Sequence, residues 1–234
     1  MENISRETAY YMAHILAKTD RQQDTIDLIK KVIDMDPHLK SDEQSFLSIV
    51  YKNIVIKKRE GRTNLIKIMK EHQDPVLHQQ LQTFSHEFID ELDFYCKELI
   101  SIVDEKLLPN AKTPEDQVFY LKLKADYYRY MCEVHTGEAK EELAKPAEKA
   151  YKEALSIANA KISQTRPEYL GVILNYTVFL YEILEKKEEA LDLAQKTYQE
   201  ICTKINDDAS AETRQTIKSM HDNIENWKAS LSME

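Results

Sequence analysis

Glycine is nearly missing from this chain: three residues in 234, beside six prolines. Strand-and-turn architectures need glycine at tight and left-handed positions, so the scarcity argues against them. Cysteine is scarce too. Cys96, Cys132 and Cys202 are odd in number and far apart, with no Cys-x-x-Cys pair or Cys/His cluster. Neither a metal site nor a disulfide framework is expected; three buried, reduced thiols are. Basic charge is in deficit, with a net charge of −9 and a pI near 5.4. Phosphate backbones want a basic face, so nucleic acid is not an expected partner. Long hydrophobic runs are lacking as well. The most apolar stretch, residues 169–184, is broken by Asn175, Thr177 and Glu182 and is too short to span a bilayer comfortably. No cleavable signal sequence is read at the amino terminus. The expectation is a cytoplasmic protein without membrane partners, with passage to the nucleus left open. Finally, no Gly-rich phosphate loop, activated Ser/His/Asp set or metal cluster is visible, so neither catalysis nor a cofactor is expected.

What the chain does have is long Leu/Ile/Glu/Lys-rich segments, which favour helices. The pattern predicts helices over about 4–18, 22–34, 41–72, 74–107, 113–134, 141–162, 167–184, 187–205 and 210–230. Asp36-Pro37 ends the second. Ser41-x-x-Gln44 resembles a capping box for the third. Asp74-Pro75 and Thr113-Pro114 each read as an N-cap followed by a first-turn proline. Gly61 is a weak point inside the third helix. The fold class is all-α: nine antiparallel helices in a bundle with a concave amphipathic groove. No linker supports a cut, so one domain over 1–228 and a short tail over 229–234 are expected. Ala147-x-x-x-Tyr151-x-x-Ala154-Leu155 resembles one helix of a tetratricopeptide repeat, but no steady 34-residue period surrounds it.

The stretch FYLKLKADYYRYMCEV (119–134) stands out. As a helix it puts Lys122, Asp126, Arg129 and Glu133 on one stripe, with apolar or aromatic residues nearly everywhere else. Such a helix is buried on most sides, so its charges need partners. Taken alone, the stripe reads as an internal ion-pair ladder. The pattern recurs, however. Lys52 and Arg59 lie seven residues apart among Ile49, Val50, Ile54, Val55 and Ile56. Asn175 and Glu182 repeat the interval beside Gly171, Leu174 and Val178, and Met220, Asn223 and Trp227 share a face. A seven-residue step returns to nearly the same azimuth, so each set is a row along an axis. Arginines fork onto phosphate oxygens, a neighbouring Tyr130 can add a hydroxyl, and primary amides both donate to and accept from a peptide backbone. These residue types suit a reader of extended phosphorylated peptides. A tetratricopeptide-like scaffold for unmodified peptides is the alternative, and a helical hydrolase or transferase ranks far behind.

At these residues the chain resembles the 14-3-3 family. SFLSIVYKN (45–53) with Arg59, VFYLKLKADYYRY (118–130), LGVILNYTVFLYEI (170–183) and, more loosely, DNIENW (222–227) match its characteristic segments in order. The resemblance implies a dimeric nine-helix adaptor that binds phosphoserine or phosphothreonine peptides in a groove. It implies that Lys52, Arg59, Arg129 and Tyr130 hold the phosphate. Lys122, Leu174, Asn175, Val178, Glu182, Asn223 and Trp227 would hold the peptide, and Asp126 and Glu133 would orient the basic residues. Ile15, Thr19, Arg21, Asp24, Phe84, Glu87 and Glu91 would lie at a dimer interface, Arg21 bridging to Glu91 of the second subunit. There Glu87 stands where the family has a lysine opposite Asp24, so a weakened homodimer or a heterodimer is expected. Thr216 and Ser219 stand where the family has apolar groove wall. Gly61 and Arg62 also depart from its usual residues. Ser232, near the carboxyl terminus, resembles the family's C-terminal ligand type, so the tail is a candidate self-ligand if phosphorylated.

Overall fold

The computed structural model describes residues 4–72, 74–206 and 209–232. Among them are nine α-helices and no strand: α1 (Arg6–Leu16), α2 (Gln22–Met35), α3 (Ser41–Glu71), α4 (Pro75–Ile102), α5 (Pro114–Cys132), α6 (Gly137–Lys161), α7 (Pro167–Glu182), α8 (Lys187–Lys204) and α9 (Ala211–Leu231). The helix count and order are those expected. Two caps form as read: Asp74 accepts the Val76 N–H at 2.9 Å, and Thr113 and Asp116 satisfy each other's backbone N–H groups. The cap of α3 sits one residue earlier than expected. Glu43, not Gln44, reaches back to a backbone N–H, that of Lys40, at 2.9 Å. The fourth helix is not uniform to its end; it widens into a π turn over Val103–Leu107 and closes with a 3-10 turn over Leu108–Asn110. α9 continues to Leu231, so residues 229–231 of the expected tail are helical, and Ser232 caps them with its hydroxyl on the Ala229 carbonyl. Met233 and Glu234 lie outside the described residues.

The chain packs as two compact units, residues 1–110 and 111–234. In the first, α1 pairs with α2 and α3 with α4 around Ala9, Ala13, Ile26, Leu47, Tyr51, Leu92 and Leu99. Polar clasps tie it together. Arg6 forks onto Glu43 at 2.6 and 3.0 Å, and Glu98 accepts from both Lys30 and Tyr51. Between Ile56 of α3 and Glu91 of α4 no described residue is buried. Gly61 lies in this stretch, and the structure explains it. A Cβ there would meet the Phe88 ring at 2.6 Å, so glycine is what lets α4 approach α3.

In the second unit α5 packs on α6 and α7, and α9 packs on α7 and α8. The buried face of α6 is mostly alanine: Ala144, Ala147, Ala150, Ala154 and Ala158. Small side chains admit the bulky α5 residues Tyr120, Tyr127 and Met131, all buried. Pro146 is accommodated within α6, and its helix starts at Gly137, four residues before the expected position. The thiols correct one expectation. Cys96 and Cys132 are buried, but Cys202 is exposed, because it falls on the outer face of α8.

Candidate functional site

α5 was expected to be buried on most sides with one charged stripe, and that is its environment. Asp126 and Arg129 are 4% and 8% exposed, so both charges must be satisfied within the protein. They are. Asp126 accepts from Lys122 Nζ at 2.7 Å, from Asn175 Nδ2 at 2.8 and 2.9 Å to its two oxygens, and from the Tyr151 hydroxyl at 2.5 Å. Arg129 donates to Glu133 at 2.9 Å and through Nε to the Tyr151 oxygen at 3.3 Å. Its Nη2 stands 3.8 Å from Asp126, and its Cζ lies 4.6 Å from the Tyr130 ring centre. The ion-pair ladder and a held arginine are therefore one arrangement.

The electrostatics follow from the contacts. Burial alone would push the Asp126 carboxyl up, but the Lys122 and Arg129 cations, with the Lys122 and Tyr151 hydrogen bonds, hold it below the ordinary range. Burial would likewise lower Arg129, but Tyr151, Asp126, Tyr130 and Glu133 raise it instead. Burial and the adjacent Asp126 push the Tyr151 hydroxyl well above the usual range, so it remains a proton donor. Arg129 is a permanent cation with a fixed plane.

α7 lies alongside this stripe. Asn175 reaches Asp126, and a Cβ on Gly171 would sit 3.5 Å from Lys122 Cε. Gly171, Leu174, Asn175 and Val178 are half-buried, while Val172, Ile173, Tyr176, Thr177, Phe179 and Leu180 are buried. One strip of α7 thus stays accessible beside the charged stripe, with Glu182 exposed at its end. Because Asn175 turns its amide nitrogen to Asp126, its carbonyl oxygen is the group left for a ligand N–H. On α9, Asn223 is half-buried. Trp227 is buried and stacks on Tyr181 at 4.5 Å, so it fastens α9 to α7. Thr216 and Ser219 are half-buried, and the Thr216 hydroxyl donates to the Glu212 carbonyl at 2.9 Å, which spends its proton within the helix.

Lys52 and Arg59 stand on α3 of the first unit. Lys52 is exposed and Arg59 half-buried. In the same unit Ile15 and Phe84 are large exposed apolar residues, 49% and 52% accessible, and Glu87 is exposed. Within the chain Arg21 pairs with Asp24, and Glu91 pairs with Lys58. Thr19 caps the α1–α2 turn, donating to the Leu16 carbonyl at 2.7 Å and accepting from the Arg21 N–H at 3.3 Å.

Sequence reasoning missed the role of Tyr151. It noticed the residue only as part of a repeat-like pattern. The available signal was a lone hydroxyl-bearing aromatic in an alanine-rich helix face, since a buried phenol needs a partner.

The cluster sets a stability expectation. Asp126→Asn leaves two cations short of their shared anion, and we expect a loss of about 3–5 kcal/mol at neutral pH. The depressed carboxyl contributes stability that is full above its unfolded value of about 4 and fades as pH falls through the folded value. Urea unfolding should therefore show the gap between wild type and variant closing only below about pH 4. A gap that stays constant to the acid end would contradict the assignment.

Comparison with known proteins gives a concordant result. A sequence model of the family described as 14-3-3 protein matches residues 12–228. The chain is 31% identical over 232 residues to 14-3-3-like protein B of Vicia faba, covering 97% of this chain and 89% of that one. It is 31% identical over 229 residues to 14-3-3 protein zeta of Bombyx mori, covering 96% and 93%. To 14-3-3 protein beta/alpha of Xenopus tropicalis it is 32% identical over 219 residues, covering 92% and 90%. The matched span takes in α5 with its buried charges, α7 with Asn175 and α9 with Trp227, and on these grounds the chain belongs to the 14-3-3 family.

Proposed function

We propose that this protein is a non-catalytic adaptor that binds phosphoserine- or phosphothreonine-containing peptides and regulates client proteins by masking, clamping or bridging them. The observation that carries the reading is Arg129: a buried guanidinium, its plane fixed by Glu133, Tyr151 and Tyr130, beside the accessible strip of α7. A fixed planar fork is suited to phosphate oxygens. In this proposal Lys52, Arg59, Arg129 and Tyr130 receive the phosphate. The Asn175 carbonyl oxygen and Asn223 hold the extended ligand backbone, Leu174 and Val178 take its apolar side chains, and Lys122, Glu182 and Trp227 complete the peptide site. The helices would act as one 14-3-3 domain over 1–228 at work in the cytoplasm. No helix among the described residues is long and apolar enough to cross a membrane. Family membership disfavours the tetratricopeptide alternative.

We also propose that the protein dimerises weakly or with a different subunit. Asp24 and Glu87 carry like charge, and Arg21 and Glu91 are already engaged by Asp24 and Lys58 of their own chain. The functional stake is avidity, since bivalence adds about 10²–10⁴ for doubly phosphorylated clients.

Two measurements check these proposals. In calorimetric titrations, a phosphoserine peptide with an upstream arginine should bind and its unphosphorylated twin should not. Arg129→Ala should weaken the first by about 2–5 kcal/mol. Equal binding of both peptides would favour an unmodified-peptide scaffold. Sedimentation of the protein alone should show monomer and dimer exchanging at micromolar concentration, and one tight homodimer boundary would refute the weakened pairing.

A further inference from the structure

Asp126 and Arg129 stand one turn apart on α5, and α6 inserts a single hydroxyl between them. Tyr151 is completely buried, so no solvent competes for that hydroxyl. Its one proton goes to Asp126 Oδ1, and its oxygen accepts the Arg129 Nε–H at 3.3 Å. A phenol has one hydrogen to give, and the carboxylate can only accept, so the direction of both bonds is fixed. The remaining approach between the two charges is the 3.8 Å separation of Arg129 Nη2 from Asp126 Oδ1, beyond hydrogen-bond distance.

We propose that Tyr151 is a positioning residue for anion recognition by Arg129, acting as a spacer that keeps the guanidinium from collapsing onto Asp126. The proposal rests on the phosphopeptide reading above. Asp126 is the nearest competitor to a ligand phosphate for the Arg129 N–H groups, since a carboxylate takes the same fork. With the hydroxyl in place, Asp126 spends acceptor capacity on Tyr151, Lys122 and Asn175, and Arg129 spends Nε on Tyr151. Glu133 holds the guanidinium from the other side through Nη1 at 2.9 Å. Without the hydroxyl, Nε loses its acceptor while Asp126 gains a vacant lone pair 3.8 Å away. The direct forked pair then forms and withdraws N–H groups from the ligand. Tyr151 never touches the phosphate in this account; it sets where Arg129 points. The alanine-rich face around it leaves α5 and α6 close enough for one hydroxyl to bridge both residues.

The test is Tyr151→Phe in the full chain, an exchange that removes one oxygen and keeps the ring. Affinity for the phosphoserine peptide should fall about tenfold, as expected for loss of a hydrogen bond to a charged group, while the unphosphorylated twin stays unbound. A double-variant cycle separates positioning from general loosening. Lysine has no Nε–H and no fork, so Tyr151→Phe in an Arg129→Lys background should change affinity less than twofold. A single variant that binds as tightly as wild type, or one that loses tenfold in both backgrounds, overturns the proposal. A second measurement needs no variant and no ligand. In nitrogen-15 spectra of the wild-type protein, the Arg129 Nε–H should exchange with water far more slowly than that of free arginine under the same conditions. Exchange as fast as that of free arginine overturns the proposal as well. Failure of the wild-type protein to bind the phosphopeptide overturns the adaptor reading, and with it the ligand role given to Tyr151, even where the Nε–H proves protected.

Discussion

The second unit depends on keeping one carboxylate ionised where almost no water reaches it. Asp126 is an anion in the packed interior of α5, α6 and α7, and an isolated charge there would be prohibitively costly. Its four hydrogen bonds come from three donors on three helices: Lys122 of α5, Tyr151 of α6 and Asn175 of α7. The geometry of the cluster is therefore also the geometry of the helix packing. Shifting any one helix leaves a buried charge short of a partner, which is more costly than losing an ordinary contact. The alanine face of α6 is the steric side of the same arrangement, because small side chains there let the Tyr151 hydroxyl reach α5.

The proposed function draws on that constraint. A surface arginine has many rotamers, and ordering it on a ligand costs entropy. Arg129 is ordered beforehand by groups that are themselves held, so less ordering remains when an anion arrives. Its charge is permanent at any physiological pH. The net charge of the chain is −9, and within the α5 stripe the cations Lys122 and Arg129 are balanced by Asp126 and Glu133. In the proposed reading the acidic exterior opposes nonspecific polyanions, and the fixed fork of Arg129 receives the phosphate of a peptide side chain.

Much of this was legible in the sequence. Helix count and order followed from apolar periodicity and from Pro/Asp/Thr punctuation, which act locally. The stripe of Lys122, Asp126, Arg129 and Glu133 was legible because seven- and four-residue spacings map directly onto one helix face. Tyr151 was not, because its role depends on which helix lies opposite, and periodicity carries no information about that. Gly61 read as a defect for the same reason: its purpose is the Phe88 ring, which belongs to another helix. The α3 cap moved by one residue because Glu43 also serves Arg6, so a tertiary ion pair chose between two local alternatives. Cys202 was misjudged because free cysteines are usually buried, and composition alone does not say which face of α8 carries it.

The central claim is that a preset, buried cation reads a ligand's phosphate. The direct measurement is phosphorus-31 spectroscopy of a bound phosphoserine peptide across pH. A free phosphoserine dianion takes up a proton near pH 6. Held against Arg129, the dianion should persist to clearly lower pH, because the adjacent positive charge opposes protonation. Replacing Arg129 should return most of that shift even where residual binding remains. A bound phosphate that titrates as the free peptide does would show that the peptide is held by something else, and would contradict the account.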